Sequence, residues 1–236
     1  MNKSSPQLPL GLVARQDKRL ETFFVGDNKL LLEIVRATAE QGDESQVALW
    51  GASGTGKSHL LNALCQCANE AGRSSVYLPM DALIDQPVDL LNEMEHFRLI
   101  AVDHIDVLQT SSVWQTALFN LINRSRQSGS SIVTASRQNP ASLNLLEDLV
   151  SRLVWGPVLR VMPVSDASLP EAIRARAEVL GLSISAECIN YLLTRHSRDL
   201  AELFAALDML DRSSLVEQRR LTVPFIKTVL SPEASA

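Results

Sequence analysis

Within eight residues, Gly51-Ala52-Ser53-Gly54-Thr55-Gly56-Lys57-Ser58, the chain places three glycines, an amine and three hydroxyls beside each other in the order GxxxxGK[ST]. Glycines at these positions let consecutive backbone N–H groups turn inward around phosphate oxygens, and a helix opening directly behind them adds partial positive charge. Lys57 is long enough to reach the β and γ phosphates of a nucleotide, and the Ser58 hydroxyl is a hard oxygen ligand suited to Mg²⁺. Ser53, Gly54, Thr55, Gly56 and His59 complete the expected cofactor-binding set around Gly51 and Lys57. The context is the one this chemistry requires, because an apolar run at 47–50 reads as a strand and Leu60, Leu61 and Leu64 as the inner face of a helix.

A metal on the phosphates needs a carboxylate at the end of a neighbouring strand. Leu99-Ile100-Ala101-Val102-Asp103 supplies it, so Ser58 and Asp103 are the expected metal ligands. His104 follows where a second acid would orient an attacking water, and Asp106 lies three residues beyond Asp103. An imidazole can act as a base, or it can be a locally bonded loop residue. The expectation is firm nucleotide binding with slow hydrolysis of the chain's own nucleotide.

Short apolar runs at 47–50, 75–78, 99–102, 131–134 and 158–161 alternate with helical or turn-rich segments. This predicts an α/β fold with a parallel sheet covered by helices on both faces. A helix is expected from Asp27, suited to the N-cap, through Leu30, Leu31, Ile34 and Val35. After about Pro163 the strands stop. Ser168 with Glu171 reads as a capping box, Gly181 as a helix stop, and further helices are expected at 185–195, 198–213 and 223–230. The arginine Arg198 then follows Ser197, a candidate N-cap. The expected organisation is a flexible tail at 1–18, an α/β domain at 19–163 and a small all-helical domain at 164–236.

Composition sets bounds on all of this. The chain has 236 residues, a net charge of −5 and 46% hydrophobic residues, so it can fold a sizeable core without metal or disulfide support. Cys65, Cys67 and Cys188 form no CxxC or zinc spacing and read as small apolar residues in a reducing compartment. No apolar leader follows Met1, and no run approaches the roughly 18 apolar residues of a membrane span, which predicts a cytoplasmic protein without membrane contact. The negative balance argues against sequence-independent DNA binding, which depends on Lys and Arg neutralising phosphates.

Taken with these motifs, several segments make the chain resemble the AAA+ proteins of the DnaA clade over about 20–230. Residues 22–28, Thr-Phe-Phe-Val-Gly-Asp-Asn, resemble the segment that packs on the adenine, which points to Phe24 and Val25. Leu149-Val-Ser-Arg152-Leu-Val-Trp155-Gly156 resembles the arginine-finger box, and Arg198-Asp-Leu-Ala-Glu-Leu203 the sensor 2 helix of the lid. Leu221-Thr-Val-Pro224-Phe225 resembles the closing segment of the clade's shorter regulatory members. Sensor 1 falls on Thr134 or Ser136, where related chains carry an Asp at the second position. Gln7, Leu8, Leu10 and Leu12 resemble the peptide by which such regulators bind the β sliding clamp of DNA polymerase III, with Pro9 and Gly11 where Ser and Pro are usual.

The resemblance implies an AAA+ sheet with a helical lid, an adenine nucleotide (ADP or ATP) with Mg²⁺, and two partners, DnaA and the clamp, with self-assembly into a homo-oligomer also open. It implies a negative regulator of replication initiation in which Arg152, acting in trans, promotes hydrolysis of DnaA's ATP. DnaA continues into a DNA-binding domain after its lid, whereas this sequence stops soon after the last predicted helix; the expectation is a regulator without direct sequence-specific DNA binding. Two other classes stay open: a self-sufficient AAA+ ATPase or helicase loader, and a nucleotide-holding module in which Arg152 is only a surface charge. Removing Gln7 and Leu8 is expected to abolish clamp pull-down while leaving nucleotide affinity unchanged, and clamp binding that persists would refute the tail reading.

Overall fold

The computed structural model describes residues 19–217 and 220–230, so Gln7, Leu8, Leu10 and Leu12 lie outside the described residues. The apolar runs form β1 (Gln46–Trp50), β2 (Ser75–Pro79), β3 (Leu99–Asp103), β4 (Ser131–Ser136) and β5 (Val158–Arg160). They pair in parallel in the order β2-β3-β4-β1-β5. Every residue of β3 and β4 is buried, which is why these strands read as unbroken apolar runs with no alternation. The register sets Trp50 beside Ser136, Val102 beside Thr134 and Pro79 beside Asp103. The chain therefore leaves β1, β3 and β4 at one edge of the sheet, and the chemistry predicted from sequence is gathered there.

Helices α1 (Lys29–Glu40) and α2 (Lys57–Glu70) cover one face, packing with Val47, Leu49, Leu99, Ala101 and Val133. A short α3 (Met80–Leu83) follows β2, while α4 (Ser112–Ser128) and α5 (Glu147–Leu153) cover the other face with Ile100, Val102 and Ile132. Leu60, Leu61 and Leu64 of α2 are fully buried. At about 2 kcal/mol each, their burial holds the helix that begins with Lys57 and Ser58.

The chain divides into two compact units between Met162 and Pro163. The second consists of α6 (Leu169–Val179), α7 (Ala186–Arg195), α8 (Leu200–Glu217) and α9 (Val223–Leu230), closed around Ile173, Leu192, Leu203, Leu207 and Ile226. No helix among the described residues is long and apolar enough to cross a membrane. Cys65, Cys67 and Cys188 are free thiols, and burial pushes that of Cys65 up to about 12.

Several local expectations are corrected. Asn28, not Asp27, stands at the start of α1, and its amide exchanges hydrogen bonds with the Met162 backbone, accepting from N at 2.7 Å and donating to O at 3.0 Å. The buried face of α1 is Leu31, Val35, Thr38 and Ala39, and Leu30 is 69% exposed. Ser168 occupies the N-cap of α6 without capping it, because its hydroxyl pairs with that of Ser165 at 2.8 Å. Asp199, not Ser197, caps α8 by accepting from the N–H groups of Ala201 and Glu202, so Arg198 precedes the helix.

Gly156 is a close-approach position: a Cβ there would lie 2.0 Å from the Gln46 carbonyl oxygen of β1. Gly156→Ala is expected to lower stability in urea unfolding by about 3 kcal/mol, the upper range of overpacking. Gly72→Ala, with φ +77° but open space around the added carbon, should cost only about 1 kcal/mol.

Candidate functional site

The loop from β1 to α2 is shaped by glycines used for two different reasons. Gly54 (φ +77°) and Gly56 (φ +87°) adopt the left-handed conformation, whereas at Gly51 a Cβ would stand 2.6 Å from the Val161 carbonyl oxygen. Lys57 is 7% exposed, and its Nζ donates to the carbonyls of Gly51 (2.6 Å) and Ala52 (2.7 Å) and to Thr55 Oγ1 (3.3 Å). Burial lowers its pKa below the ordinary lysine value, while Asp103 and Asp106 act in the opposite direction. Ser58 opens α2 directly behind it.

Asp103 is fully buried at the end of β3. Its Oδ2 accepts from the Tyr77 hydroxyl at 2.8 Å and its Oδ1 from the His104 backbone N–H at 2.8 Å. Burial first, then the neighbouring Asp103 charge, raises the Tyr77 pKa, so that phenol stays a donor. His104 takes a left-handed backbone (φ +56°), and its Nδ1 lies 3.0 Å from Asp81 Oδ1. Asp106 is also buried, and both its oxygens accept from the Arg137 N–H, at 2.9 and 3.0 Å, bracing the chain as it leaves β4. On β4 the Ser136 hydroxyl donates to the Gln138 carbonyl at 2.7 Å, whereas the buried Thr134 hydroxyl has no hydrogen-bond partner among the described residues.

Residues 22–28 lie against this loop through a side chain the sequence reading did not single out. Phe23 is buried and would meet a Cβ on Gly56 at 2.9 Å, while Phe24 is half-buried and Val25 is 36% exposed. The Phe23 ring also lies 6.0 Å from that of His59, whose Nε2 is 3.1 Å from both Thr22 Oγ1 and the Arg19 carbonyl. His59 thereby ties this segment to α2. Two adjacent phenylalanines were visible in the sequence; which of them turns inward depends on the missing Cβ of Gly56.

Arg152 lies in the last turn of α5, half-buried. Its Nε donates to Asn123 Oδ1 at 2.9 Å, and its guanidinium sits 4.6 Å from the Trp155 ring centre and 5.6 Å from that of Phe119. Trp155 is 52% exposed and carries a second guanidinium, that of Arg126, at 3.5 Å. The side chain thus lies along an outer surface of the first unit. Phe119, Asn123 and Arg126 recur at i, i+4 and i+7 on α4, a spacing that puts them on one stripe and was available in the sequence. In the second unit, Arg198 is exposed and donates to Asp166 Oδ2 at 2.7 Å.

The arrangement suits a polyphosphate: a loop turned by two left-handed glycines, a buried amine, a hydroxyl at a helix start and a buried carboxylate come from the same end of the sheet. Residues 15–160 match the family model for the bacterial DnaA ATPase domain, and residues 166–230 match that for the Hda lid domain. Among solved structures, domain III of Thermotoga maritima DnaA is similar with a TM-score of 0.79 and 22% identity, covering 94% of this chain and 99% of that one. AMPPCP-bound DnaA from Aquifex aeolicus gives 0.72 and 23%, over 87% and 71% of the two chains. RuvB from Thermotoga maritima gives 0.64 and 17%, over 90% and 71%. Lys57→Ala is expected to weaken adenine nucleotide binding about 10-fold or more, as loss of a charge-assisted bond to phosphate should; equal affinities in a fluorescent-nucleotide titration would remove the loop from the site.

Proposed function

The chain belongs to the bacterial DnaA ATPase family of AAA+ proteins and carries an Hda-type lid, and from that premise we propose that it is a negative regulator of replication initiation. In this reading it links the β sliding clamp, bound by residues 7–12, to ATP-loaded DnaA. Arg152 then enters DnaA's nucleotide site and accelerates hydrolysis to the inactive ADP form. The placement of Arg152 is what supports the proposal. Its guanidinium lies on an outer surface, and its described hydrogen bond uses Nε, leaving the Nη donors for phosphate oxygens. A finger supplied in trans contributes about 10³ to 10⁵ in rate.

The protein's own nucleotide, ADP or ATP, has a different task. In this reading the backbone of 51–56 and Lys57 hold its phosphates, and Phe24 and Val25 stand on the adenine side. Ser58 and Asp103 offer one hydroxyl and one carboxylate, a small set of hard oxygen donors that fits Mg²⁺, which completes its shell with water and phosphate. Bound there, the metal would neutralise phosphate charge. The resemblance gives Arg198 the sensor 2 role, and its ion pair with Asp166 is exposed and weak.

Slow hydrolysis of this nucleotide follows from how the nearby acids are used. The position after Asp103 is His104 rather than a second acid, and Asp106 braces the Arg137 N–H with both of its oxygens. That favours an activator of a partner over a self-sufficient ATPase or helicase loader. ATP hydrolysis by DnaA on clamp-loaded DNA tests the choice. Arg152→Ala should lose about 10³-fold of the stimulation; undiminished stimulation would exclude the trans finger, and substantial turnover without DnaA would favour the independent ATPase.

A further inference from the structure

Asp103 and Ser58 arrive at the site from different elements, β3 and the start of α2, and their separation has to be fixed for both to serve one metal. Tyr77 on β2, which no sequence motif marks, donates to Asp103 Oδ2 at 2.8 Å. Asn62, one turn beyond Ser58 on α2, donates from Nδ2 to the Ser58 carbonyl at 2.8 Å, and its side chain acts to lower the pKa of the Tyr77 hydroxyl against the effect of burial. Asn62 and Asp103 are both buried, at 6% and 0% exposure.

We infer that Tyr77 is a positioning residue for the Mg²⁺–nucleotide site, fixing the Asp103 carboxylate; the inference rests on the reading of Ser58 and Asp103 as metal ligands. Each carboxylate oxygen has about two acceptor directions. One on Oδ1 is taken by the His104 N–H and one on Oδ2 by the Tyr77 O–H, so the plane of the carboxylate is set by donors on both oxygens. One direction on each oxygen stays available to a metal ion or its water. The reach of Tyr77 follows from the register: it lies beside Ala101, two residues before Asp103 and on the same face of the sheet. Strand β2, an edge strand, thereby contributes to a site otherwise built from β1, α2 and β3.

A phenylalanine at position 77 keeps the ring and its packing but removes the donor to Oδ2. The carboxylate then loses one of its two fixed directions while the phosphate loop is untouched. The quantity to measure is the ratio of ADP dissociation constants in EDTA and in Mg²⁺, by titration of the full chain with a fluorescent ADP. Tyr77→Phe is expected to reduce this ratio about 10-fold with the EDTA affinity little changed, while the thermal midpoint falls by the few degrees that the loss of one donor to a buried carboxylate implies. Asp103→Asn should bring the ratio close to one.

The outcomes separate the two levels. A full ratio in Tyr77→Phe, with the Asp103→Asn ratio collapsed, would overturn the role of Tyr77 alone. Equal loss of affinity with and without Mg²⁺ in Tyr77→Phe would make the residue a structural tie and also overturn it. A wild-type ratio near one, or one unaffected by Asp103→Asn, would instead overturn the metal-ligand reading beneath it.

Discussion

A carboxylate with no exposed surface is the constraint from which the site is built. Removing an ion from water costs several kcal/mol unless charges and donors replace the lost hydration. Asp103 receives an O–H from β2 and an N–H from the following residue, and the Lys57 charge lies close enough to interact with it. These come from different parts of the chain and meet only when β2, β3, β4 and β1 are paired in that order and register. The same requirement explains why β3 is apolar until its final residue: the strand is buried throughout, and the one polar group it carries must be where donors converge.

Two cations are handled in opposite ways, and the contrast bears on function. Lys57 is drawn into its own loop, where carbonyls hold it and burial lowers its pKa. Arg152 lies on a surface, stacked against a half-exposed indole. Lysine suits the first position because a compact ammonium with three donors can exchange loop carbonyls for phosphate oxygens; arginine suits the second because it stays charged and presents a planar fork. In the proposed reading, one cation serves the nucleotide this chain keeps and the other a nucleotide held by DnaA.

The sequence made the strands and phosphate loop legible for local reasons. A strand buried on both faces must be apolar throughout, and the phosphate loop needs glycine at fixed spacing whatever surrounds it. Caps were less legible. Asp27 and Asn28 are equivalent by propensity, and Asn28 takes its position through Met162, 134 residues away. Asp199 was preferred over Ser197 in the same way, by which of two neighbouring oxygens faces the free N–H groups. Tyr77 was invisible because its role depends on strand register, and Phe23 because its inward turn depends on Gly56. At Arg152 the pattern identified the residue, while its supports sit on another helix.

Those supports affect what the guanidinium can do on docking. A free arginine side chain has about 2 kcal/mol of rotamer entropy to lose when it is fixed. Asn123 restrains Nε, and Trp155 restrains the plane, so part of that loss has occurred during folding rather than association. The indole face also removes water from one side of the guanidinium, which reduces the desolvation still to come when a phosphate arrives. Arg126 on the same indole adds a second positive charge beside the first, so the stack presents a cationic surface for approach to an anionic nucleotide. A solvated arginine would carry the same charge without the orientation, and orientation is what separates a finger from a counter-ion.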